Sequence, residues 1–176
     1  MPITKSMAAV SAAALMLAGV AGVAGVAGAG VARASAPTAV GTARPSACRP
    51  ANHTARIAPA RASSGHRHYR VTLTAAPGYE PCRPAGSPTD VRFYRHGSPD
   101  AVSAGRYGPQ HVVVTFGPGH PVHFDIQVPD GADGVPADEV SFTLRTPDGV
   151  IPGDSSAYGH LSVAPGTVVG PVRPGA

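Results

Sequence analysis

The stretch Val112-Val113-Val114-Thr115-Phe116-Gly117-Pro118-Gly119-His120-Pro121-Val122-His123-Phe124-Asp125-Ile126-Gln127-Val128 decides the fold class. Val122, Phe124, Ile126 and Val128 alternate with His123, Asp125 and Gln127, and such alternation sends successive side chains to opposite faces of a strand. Val112, Val114 and Phe116 form a second inward set. With Gly117-Pro118-Gly119 between them as a turn, the two runs are expected to pair as a β-hairpin.

The same period recurs on both sides of this stretch. Tyr69, Val71, Leu73 and Ala75 oppose His68, Arg70, Thr72 and Thr74. Val91 and Phe93 oppose Asp90, Arg92 and Tyr94, and Val140, Phe142 and Leu144 oppose Ser141, Thr143 and Arg145. Leu161 and Val163 make a short last strand, and Thr54 to Pro59 around Ile57 a weaker first one. The 20 Pro and 22 Gly punctuate these runs, and none has the 3.6-residue period of a helix. The expectation is an all-β, immunoglobulin-like β-sandwich of about seven antiparallel strands. The inward residues are its core, which is built mainly from Val and Leu because Trp is absent.

The chain opens with an export signal. Lys5 is the only charge before Arg33, and Met7 to Ala32 is an uncharged run of small and apolar residues. Ala32-Arg33-Ala34 fits the A-x-A cleavage pattern. The run is long enough to span a hydrocarbon core of roughly 30 Å, but it is poor in Leu and Ile and a cleavage site follows directly. Residues 1–34 are therefore expected to be a signal peptide, 35–47 a flexible linker, 48–165 the β-sandwich domain and 166–176 a C-terminal tail. The protein is expected to be secreted, extracellular or associated with the cell surface. After cleavage no stable membrane span remains.

Charge is unevenly spread. Without Lys5 and Arg33, twelve arginines face ten carboxylates. Residues 35–106 hold ten arginines against Glu80, Asp90 and Asp100, whereas 107–176 hold Arg145 and Arg173 against seven carboxylates. Arg67, Arg70, Arg92 and Arg95 are the candidate face for an anionic ligand. An anionic cell-wall polymer or another surface protein is the partner class, and export argues against nucleic acid.

Cys48 and Cys82 are the only cysteines, and outside the cytosol they are expected to form one structural disulfide. The alternative, a reactive or metal-binding pair, lacks a second nearby Cys or a closely spaced His. Eight histidines invite a metal reading, with His66, His68, His120 and His123 as the candidate copper or zinc ligands. His120 and His123 would face opposite ways on a strand, and surface histidines without a specific role are the simpler account. The acidic run Asp130, Asp133, Asp138 and Glu139 fits no EF-hand spacing. No nucleophile elbow or cofactor motif stands out. The expected function is a noncatalytic binding or interaction module without a cofactor, the alternative being a metal-binding module that uses the histidines.

Cys82, Gly86 and Pro88, followed by the strand Asp90-Val91-Arg92-Phe93, resemble the Cys-x-x-x-Gly-x-Pro element of the actinobacterial secreted family called domain of unknown function 4232. In that family an N-terminal Cys opens the domain, as Cys48 does here, and a Pro-Gly turn leads into an alternating strand, as Pro118-Gly119 leads into Val122 to Val128. The resemblance covers about residues 48–165. It implies secretion and an immunoglobulin-like sandwich, and it implies no activity.

Overall fold

The computed structural model describes residues 44–63, 65–131 and 133–176. The expected signal peptide and most of the expected linker lie outside them. Apart from a 3-10 turn at Pro50–Asn52, the regular elements among the described residues are strands. In chain order they are β1 (His53–Ser63), β2 (His66–Ala75), β3 (Thr89–Arg95), β4 (Ser98–Ser103), β5 (Gly105–Arg106), β6 (Val122–Pro129), β7 (Val135–Thr143), β8 (Arg145–Thr146), β9 (Gly149–Val150), β10 (Ser155–Val163), β11 (Val168–Val169) and β12 (Arg173–Pro174).

Ten of them form one mixed sheet. The order is β4-β3-β7-β10-β1-β2-β6-β11-β5, with β12 also on β6, while β8 and β9 make a separate two-stranded ribbon. Two facts curl this sheet until it nearly closes as a barrel. First, β4 and β5 stand at opposite ends of the strand order, yet only Ala104 separates them in the chain. Second, Ser87, just ahead of β3, donates its hydroxyl to the carbonyl of Val169 in β11 at 3.0 Å. The curl brings distant strands face to face, so Phe124 of β6 meets Phe142 of β7 edge to face at 5.0 Å between centroids. The chain is all-β, but the sheet is continuous and mixed and has more than the seven strands expected.

The core follows from alternation carried in register. Phe93, Val140, Ala157, Ala55, Leu73 and Val122 lie side by side across β3, β7, β10, β1, β2 and β6, and all are buried. All four phenylalanines, Phe93, Phe116, Phe124 and Phe142, are fully buried within a core in which Val and Leu are the more numerous residues, as expected.

The expected hairpin does not form. Residues 112–116 make no strand, and Val112 is 40% exposed. The reason is that β6 has no free edge: β2 pairs along one side from His66 to Leu73, and β11 and β12 occupy the other. Beyond the Gly117–His120 bridge, Pro121 has no N–H with which to extend a ladder. The run is diverted onto Cys82–Gly86 instead, where Phe116 exchanges both backbone hydrogen bonds with Cys82.

The ends also differ from expectation. Residues 166–176 contain β11 and β12, and Val169 and Val172 are buried, so this segment completes the second side of β6. At the other end Ser46 bridges Glu80 and Ala47 is fully buried, which sets ordered packing ahead of Cys48. Among the described residues no helix is long and apolar enough to cross a membrane.

Candidate functional site

Two surfaces flank β1, and the first is the corner closed by the cysteines. Cys48 and Cys82 are joined as a disulfide with Cα atoms 5.8 Å apart. The bridge fixes the 3-10 turn against the Cys82–Phe116 pairing and borders a cavity of about 540 Å³, lined among others by Pro50, Ile151, Pro152 and both cysteines. Asp154 at its rim is held by the Thr143 hydroxyl, which donates to Oδ1 at 2.6 Å. Most of these walls are apolar, so the corner offers contact and no reactive thiol.

His53 lies beneath this corner. Its Nδ1 is 2.9 Å from the Ala47 carbonyl, which can only accept, so Nδ1 carries the proton and Nε2 accepts from Ser155 Oγ at 3.0 Å. The ring packs edge to face on Phe116 at 5.5 Å. Burial holds its pKa below the ordinary 6.5, opposed by hydrogen bonds to the backbone of Ala47 and Arg49.

The second surface is the outer face of the sheet. One residue along from the core row, Tyr94, Glu139, Tyr158, Arg56, Thr72 and His123 stand in register across the same six strands. Tyr158 is 61% exposed, Arg56 is exposed, and Tyr94 and Glu139 are half-buried. Between β1 and β10 this face carries a depression of about 370 Å³ lined by His53, Thr54, Ala55, Arg56, Ser156 and Tyr158. Arg92, Ser141 and Ser156 are in register in the neighbouring row.

The structure divides the four candidate arginines. Arg67 and Arg70 are on β2, whereas Arg92 and Arg95 are on β3, with β7, β10 and β1 between them. The four therefore do not share one local patch. Arg70 is neutralised by Asp125, with Nε 3.3 Å from Oδ1. Arg67 Nε stands 3.8 Å from Asp130 Oδ1, an ion pair too long for a hydrogen bond, and is otherwise buried without an acceptor. Arg92 and Arg95 are exposed and have no ion pair among the described residues.

The candidate metal ligands are dispersed as well. His66 and His68 register with Pro129 and Gln127 at one end of β6, while His123 is at the other end. His68 Nε2 is 2.7 Å from Ser63 Oγ, and His123 is buried with Nδ1 3.1 Å from the Gly175 carbonyl. His120 is exposed in the turn. Among the described residues no three His, Cys, Asp or Glu side chains converge as metal ligands. The acidic run separates too, Asp130 facing Arg67 and Asp138 accepting from the backbone N–H of His96 at 3.1 Å.

A family model described as Domain of unknown function (DUF4232) matches residues 48–172. The chain belongs to this family. No curated protein and no solved structure matches it. The segment Cys82 to Pro88 has a visible physical purpose here. Cys82 anchors the bridge, and Gly86 adopts a φ of +66° where a Cβ would stand 2.5 Å from the Gln110 carbonyl oxygen. Ser87 follows, buried, its N–H donating to Gln110 Oε1 at 3.0 Å while Gln110 Nε2 donates back to Ser87 Oγ. Neither Ser87 nor Gln110 gave a sequence signal, because a buried hydroxyl and the exposed amide that bonds it look like ordinary loop residues.

Proposed function

We propose that this domain is an exported, noncatalytic contact module that acts at the cell surface or in the medium through the outer face of its sheet. The observation that carries the reading is the contrast between adjacent registers. One is wholly buried, while the next sets Tyr158 and Arg56 in water over a shallow depression. An exposed aromatic and an unpaired guanidinium add nothing to the core, and both are residue types enriched where proteins make contacts.

Export is supported by the Ala- and Gly-rich leader ending in Ala32-Arg33-Ala34 and by the Cys48–Cys82 disulfide, a bond that persists in oxidising compartments. We read the curled sheet as an immunoglobulin-like sandwich whose two layers have merged, with Phe124 and Phe142 meeting across the interior.

The test is fractionation of a producing cell followed by incubation of the purified chain with isolated cell walls. The expected result is oxidised protein starting at Ser35 in the medium or wall fraction, retained by walls and released by salt. Reduced, full-length protein in the cytoplasm, or no retention, would overturn the reading.

A further inference from the structure

We propose that the row Tyr94-Glu139-Tyr158-Arg56 is a docking face for an extended acidic glycan, a linear polymer of sugar rings that carry carboxylates. This rests on reading the domain as a contact module and names its ligand class. Tyr94 and Tyr158 sit on β3 and β10 with only β7 between them, so at about 4.8 Å per strand their backbones are roughly 10 Å apart. That spacing is comparable to the disaccharide repeat of an extended β-linked chain. The π face of a tyrosine is negative and attracts the C–H-rich face of a pyranose ring.

The polar groups of the row fit sugar hydroxyls, which both donate and accept. Glu139, between the two tyrosines, only accepts. Arg56, one strand beyond Tyr158, only donates, and the hydroxyls of Thr54 and Ser156 in the depression do both. Arg56 and Arg92 have no acidic partner within 4 Å among the described residues, so two guanidiniums face one carboxylate and carboxylates on the polymer would balance them. The row contains no aliphatic side chain, which sets it against an apolar protein partner.

Isothermal titration of the purified chain with an alginate hexasaccharide, a linear polyuronate, tests this. Binding is expected, weakened by salt, and Tyr158→Ala and Arg56→Ala should each lower affinity by about tenfold or more. Neutral cellohexaose should bind at least about tenfold more weakly than alginate. Polyglutamate, with carboxylates but no rings, should not bind.

The proposal is overturned if alginate fails to bind at millimolar concentration, if Tyr158→Ala binds as wild type, or if cellohexaose or polyglutamate matches alginate. Tyr158 is largely in water, so its replacement leaves the fold intact and a loss of binding is not a loss of structure. Cell walls that retain wild type and Tyr158→Ala equally would leave the contact-module reading standing while removing this one.

Discussion

The two faces of the sheet share the same six strands and the same register, displaced by one residue. On the inner row Phe93, Val140, Ala157, Ala55, Leu73 and Val122 are withdrawn from water. On the outer row Tyr94, Glu139, Tyr158, Arg56, Thr72 and His123 each carry a polar group. The difference teaches where stability and recognition are separated in this chain. A substitution on one face should change folding with little direct effect on contacts, and one on the other should do the reverse.

The largest effect should come from opening the inner side. Phe124→Ala removes a fully buried ring and its edge-to-face partner on Phe142, and should lower unfolding free energy by about 3 to 5 kcal/mol in a urea titration. A loss under about 1 kcal/mol would erase the contrast between the faces. Next is the covalent tie. A Cys48→Ser and Cys82→Ser double variant releases a loop closed across 34 residues of separation and should lose about 3 to 4 kcal/mol in the loop-entropy picture.

His53 comes third, because it stands between the buried corner and the outer depression. Its folded pKa lies below 6.5 through burial, so the unfolded chain takes up a proton at higher pH than the folded one. The stability linked to this ring is complete above pH 6.5 and falls as pH drops below that value. Melting curves between about pH 7 and pH 5 should show the fall, and His53→Gln should flatten it while costing about 1 kcal/mol in hydrogen bonding. The smallest effect on folding is expected at Tyr158→Ala, within about 0.5 kcal/mol of wild type by the same urea titration. A larger loss would mean that the outer row carries stability after all.

The central strands were legible where Tyr69 to Ala75, Val122 to Val128 and Val140 to Leu144 alternate, with Val, Leu, Ile and Phe inward. The disulfide was legible from two cysteines behind an expected export signal. The pairing of residues 112–116 was not, since alternation reports which way side chains face and says nothing about which edge is already taken. Strand β11 is only Val168–Val169, too short to show a period, yet it supplies the second side of β6. The arginines of the candidate face were sound as residue types but not as a set. Arg92 stays available because its cross-strand partners are Ser141 and Ser103, whereas Arg70 faces Asp125 across the ladder. Arg56 and Tyr158 became neighbours only through the parallel pairing of β1 with β10, a contact between segments about a hundred residues apart.

The single residue between Ser103 and Gly105 has a consequence for life in a crowded medium. A sheet that ended in two long unpaired margins would expose rows of free N–H and C=O groups on which another chain could add a strand. Here one margin is the six-residue strand containing Pro99 and the other is only Gly105–Arg106, and the chain itself turns each toward its counterpart. With so little template left, strand addition at these two margins should be weak.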